Sequence, residues 1–131
     1  MTRTTKNIFI KGVGVREAKD TVIEWFKENK IKTLVNAPDY VYGRLGIGIF
    51  TAYKFFEVTF VPAQNGVIAK TEGWIAYVPP EILNNAFAVG SFVPETEFAE
   101  FASRPLGRSQ KQGMKAIKRL WTILEGLSKN N

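Results

Sequence analysis

Arg108 to Leu127, RSQKQGMKAIKRLWTILEGL, is the stretch that decides the fold. Wound at about 3.6 residues per turn, it brings Met114, Ile117, Leu120, Trp121 and Leu124 to one side. Arg108, Lys111, Lys115, Lys118 and Arg119 fall on the other. A helix built this way must lay its apolar stripe on something, so the rest of the chain has to supply a surface. Its basic side is the one feature that points to a partner.

The surface comes from the β-prone middle of the chain. Tyr53–Val61 and Val67–Val78 alternate in the manner of strands and are joined by Pro62-Ala-Gln-Asn-Gly66, a hairpin signature. Pairing Val61 with Gly66 sets Phe60 against Val67, Val58 against Ala69 and Phe56 against Thr71, one mostly apolar face. On the other face Glu57 meets Lys70 and Tyr53 meets Trp74. A slip by one residue would place Lys70 beside Val58, so the first register is preferred. Tyr53, Phe55 and Trp74 then sit on the face with Glu57 and Lys70, where they are candidate aromatic contacts if that face is open. The carboxylates of this region, Glu57 and Glu72 among them, read as ordinary solvated strand residues.

Further upstream, Thr33–Val35 and Tyr40–Arg44 flank an Asn36-Ala-Pro-Asp39 turn and suggest a second hairpin. Gly43, Gly46 and Gly48 follow closely and point to a bulge or a bend in a curved sheet. Asn7–Lys11 reads as a first strand. After Gly12-Val-Gly14, helical spacing of Val15, Ala18, Val22, Trp25 and Phe26 predicts a helix from Val15 to Asn29, with Asn29 and Lys30 as its stop. The glycine pair has the outline of an anion-binding turn, but Glu17 occupies the third glycine position, and a tight strand-to-helix turn is the preferred reading. Downstream, Pro79-Pro80 ends the hairpin strand. Ala86–Phe92 is either one more edge strand or a packed loop. Pro94 to Phe101 reads as a short helix, and Ser103 to Gly107 as the connector into the last one.

The order is strand, helix, three to five mainly antiparallel strands, then a long C-terminal helix packed on a curved sheet. It describes a single α+β domain over residues 1–131, long enough to close one core without metal or disulfide. This element order resembles the TATA-binding-protein-like class of folds, which includes the helix-grip (START/Bet v1-like) domains. The resemblance implies a sheet wrapped around the C-terminal helix, and it raises one alternative function, a binder of a small apolar ligand held between the two.

Composition narrows the chemistry. The chain has no cysteine and no histidine. That removes disulfides, thiolate sites, the Ser-His and Cys-His nucleophile pairs and the commonest metal ligand. An enzyme is therefore not the expected reading, and no catalytic residue, metal or cofactor is assigned. No run of apolar residues is long enough to span a bilayer, and a cytoplasmic protein is expected.

Charge is unevenly distributed. Residues 1–35 hold eight Lys/Arg against four Asp/Glu, residues 36–103 three against seven, and residues 104–131 seven against one. Pairing with Glu125 alone cannot account for the cations of the last segment. Arg104, Arg108, Lys111, Lys115, Lys118 and Arg119 are thus the candidate binding residues, with RNA, DNA, a ribonucleoprotein or an acidic protein surface as the expected partner. A structural protein that docks partners through an exposed aromatic patch is the third reading.

Overall fold

Amphipathic periodicity and strand alternation are both realised in the computed structural model, which describes residues 3–46, 53–76, 97–98 and 108–129. β1 (Thr4–Lys11) leads into α1 (Val15–Glu28). The strands β2 (Lys32–Ala37), β3 (Tyr40–Leu45), β4 (Tyr53–Ala63) and β5 (Gly66–Ala76) follow, and α2 (Arg108–Glu125) closes the order. Among the described residues the strands form one antiparallel sheet in the order β1-β5-β4-β3-β2. The result is a single α+β domain with a curved sheet and its C-terminal helix packed on that sheet. Gly48, Pro79-Pro80, the 86–92 segment, Arg104 and most of the expected 94–101 helix lie outside the described residues.

Both helices lie on one face of the sheet. Alternation turns Ile8 and Ile10 of β1, Val67 and Ala69 of β5, Phe56, Val58 and Phe60 of β4, and Val41 of β3 toward them, all buried. Against these residues α1 buries Ala18, Val22, Trp25 and Phe26, the spacing expected of it. α2 sets down Ile117, Leu120 and Leu124, each no more than 1% exposed, with Met114 and Trp121 packed at the margin. Removing such side chains from water contributes about 1.5–3 kcal/mol apiece before entropy is counted.

Local devices fix the joints. α1 stops at Asn29 because Lys30 turns left-handed (φ 58°) and the Ile31 amide reaches back to the Phe26 carbonyl at 2.8 Å. The Phe26 and Ile31 side chains then press on β3 at Gly43, where a Cβ would lie 2.6 Å from the Phe26 ring and 2.7 Å from Ile31. Close helix–strand approach is thus the reason for glycine there. The irregularity expected from the glycines falls across from Gly43, between Thr33 and Val35 of β2. Gly73 and Gly113 make a second close approach, since a Cβ on either would run into the Phe98 ring. The Phe98 ring, fully buried, fills the space between β5 and α2.

The β4–β5 register differs from the expected one. Val61 pairs with Ile68, Phe60 with Ala69, Val58 with Thr71, Phe56 with Gly73 and Tyr53 with Ala76. The hairpin is tighter than a five-residue loop: Ala63 pairs with Gly66, and only Gln64 and Asn65 lie at the tip, with Asn65 left-handed at φ 66°. A shift of two residues keeps every side chain on its own face. It changes the partners, however, and Glu57 meets Glu72 instead of Lys70.

Truncating the buried side of α2 is expected to cost far more than truncating its outer side. Leu120→Ala should lose about 2–5 kcal/mol in urea unfolding, whereas Lys118→Ala should stay within about 0.5 kcal/mol of wild type.

Candidate functional site

The seating of α2 determines what it offers to solvent. With Ile117, Leu120 and Leu124 turned inward, Lys111, Lys115, Lys118 and Arg119 are all exposed. Other surface cations have acids: Lys6 pairs with Glu125 at 3.0 Å, and Lys129 with Glu17 at 3.3 Å. Among the described residues no ion pair engages Lys111, Lys115, Lys118 or Arg119. At about 1.5 Å rise per residue, Lys111 to Arg119 covers about 12 Å of helix, the length of three to four phosphates along one strand of a duplex. Arg108 is the first residue of the same helix.

An open groove runs between α1 and α2. One end, about 600 Å³, has Trp25 and Ile123 at its base and Lys115, Lys118, Arg119 and Glu28 around it. The other end, about 780 Å³, shares Trp25, Glu28 and Ile123 but is rimmed by Glu17, Asp20 and Glu24, with Arg16 the one cation lining it. The helices run in opposite senses, because Lys129, just past α2, donates its amide to the Lys11 carbonyl just before α1. Acids of α1 therefore line one side of the groove and bases of α2 the other.

The far face of the sheet holds a second arrangement. Tyr42, Tyr53, Phe55, Trp74 and Ala76 form a buried cluster there, and the Phe55 and Trp74 rings stack at 5.6 Å between centroids. The condition set for these rings as contacts, an open face, is not met: Tyr53, Phe55 and Trp74 are 3%, 0% and 1% exposed. Beside the rings, Arg3 lies 3.0 Å from Glu72 and 3.5 Å from Glu57, with its guanidinium 3.8 Å above the Trp74 ring. The Tyr40 hydroxyl donates to Glu57 at 2.8 Å. These carboxylates are not the independent solvated residues expected.

Burial first, and then the hydrogen bond with Glu72, raise the Glu57 pKa above its ordinary 4.5, against the pull of Tyr40 and Arg3. Burial, followed by the bond to Glu57, likewise pushes the Tyr40 phenol up. On the helix side of the sheet, burial lowers the Lys54 ammonium. Among the described residues no group of three or more acids could hold a metal ion. The sequence could have revealed the pair only through the hairpin register. Phe9, half exposed on this same face, was hidden inside what reads as an apolar run, although strict alternation sets it opposite Ile8 and Ile10.

No protein-family model matches the chain, and a search of curated proteins finds no match. No helix among the described residues is long and apolar enough to cross a membrane.

A pH dependence follows from Glu57. Because its folded pKa is raised, the stability it contributes is fully present below 4.5 and is lost as pH rises through the folded value. Urea unfolding from acid to neutral pH should show wild type losing ground to Glu57→Gln as pH increases. Parallel curves for the two proteins would contradict the assignment.

Proposed function

We propose that this domain binds nucleic acid, without catalysing a reaction, through the exposed side of α2. Lys111, Lys115, Lys118 and Arg119 supply the phosphate contacts, and Arg108 and Arg104 extend them toward the preceding connector. The observation that supports this reading most is that four neighbouring cations on one helix are exposed, with no acid among the described residues paired to them. Each contact would displace a counterion from the phosphate backbone, so affinity comes largely from salt-dependent release. Recognition is of backbone charge and spacing, since the candidate aromatic contacts Tyr53, Phe55 and Trp74 are buried. The same reading sets the encounter in the cytoplasm.

Fluorescence anisotropy with a labelled RNA strand and a labelled DNA duplex tests it. Four phosphate contacts give a log–log salt slope of about −3 to −4, which weakens duplex binding about 100-fold between 50 and 200 mM salt. Lys115→Glu with Lys118→Glu should abolish most binding at low salt, and a single Lys111→Ala should reduce the slope by about one. Salt-insensitive binding, or none at low salt, would contradict the proposal, and selective binding to an acidic protein in place of nucleic acid would replace it.

A further inference from the structure

The groove between α1 and α2 is acidic along α1 and basic along α2, and it carries an exposed aliphatic side chain. Ile123 is 38% exposed, one of the two large hydrophobic residues left in water among the described residues, and it lines both ends of the groove. Glu17, Asp20, Glu24 and Glu28 are exposed along α1, spaced to form one stripe. Lys115, Lys118 and Arg119 form the opposing stripe on α2. The salt bridge from Glu17 to Lys129 leaves Asp20, Glu24 and Glu28 with no ion pair among the described residues.

We infer that this groove is a homodimer interface whose occupant is the same groove of a second copy of the chain. The argument is one of symmetry. A two-fold axis lying in the interface, along the groove and past Ile123, sets α1 of each copy against α2 of the other. The acidic stripe of each copy then meets the basic stripe of the other, and both contacts are attractive at once. The two Ile123 side chains approach one another at the axis and leave water together. A pattern with one sign on both helices would repel its own copy, so the difference in sign between α1 and α2 is the feature that makes self-pairing favourable. The acidic stripe gives the inference a basis separate from the nucleic-acid reading, which makes no use of it.

Sedimentation velocity on the full chain, washed free of nucleic acid in high salt, provides the test. A dimer is expected at about 100 µM protein in low salt, dissociating as screening increases. Asp20→Lys with Glu24→Lys makes the groove mainly basic, and Lys115→Glu with Lys118→Glu makes it mainly acidic. Each double variant alone should be monomeric, while an equimolar mixture should restore a one-to-one dimer, because both contacts are again attractive. Ile123→Asp should also dissociate the wild-type pairing. A wild-type chain that stays monomeric in low salt, a dimer that survives in both double variants, or a mixture that does not associate would overturn the inference. Since all five positions are exposed, folding is expected to persist, and circular dichroism checks it. Because the dimer and nucleic acid would compete for Lys115, Lys118 and Arg119, the Asp20/Glu24 variant separates the two proposals: it should lose the dimer and keep or gain affinity for nucleic acid.

Discussion

The contact on which the structure depends is that of α2 with β1 and β5. It combines apolar burial with a directional polar anchor. The Trp121 indole N–H donates to the Thr71 hydroxyl at 2.7 Å, and that hydroxyl donates to the Lys6 carbonyl at 2.7 Å. One chain of hydrogen bonds thus ties helix, inner strand and edge strand together, and satisfies polar groups that burial would otherwise penalise. Apolar burial alone is non-directional. The anchor, together with the Phe98 ring held against Gly73 and Gly113, fixes where along the sheet the helix settles. That position in turn decides which cations reach solvent and how far α2 stands from α1.

Much of this was legible in the residues, for physical reasons. A helix with a wide apolar stripe and an uninterrupted basic side has one reasonable way to sit, and Ile117, Leu120 and Leu124 are buried as their spacing requires. The stop at Asn29 and Lys30 was readable because left-handed termination is a local property of backbone chemistry. The β4–β5 register was not readable from hydrophobic pattern. Side chains repeat every two residues along a strand, so a two-residue shift leaves the faces unchanged and only the turn can decide. Asn65 in the left-handed region closes a tight tip and brings Glu57 to Glu72. The burial of Tyr53, Phe55 and Trp74 was equally out of reach, because it depends on tertiary cover and not on the spacing within their strands.

The two faces of the sheet carry different electrostatics. Behind it, Arg3 bridges two carboxylates in a partly buried setting, joining the start of β1 to the centre of the sheet. In front, the helical layer holds its charges in water, acids along α1 and bases along α2, with Trp25 and Ile123 between them. The first arrangement is suited to holding strands in place. The second leaves Lys111, Lys115, Lys118 and Arg119 without an ion pair among the described residues, and the proposed contacts draw on them.

Native-state hydrogen exchange tests the seating of α2 most directly. If the helix and sheet form one cooperative unit, the amides of Ile117, Leu120 and Leu124 should open with the same free energy as those of Val58 and Phe60 in β4, near the global value. Exchange of the α2 amides through a low-energy opening, with the β4 amides still protected, would mean that the helix is an accessory to the sheet and would contradict the central role assigned to it.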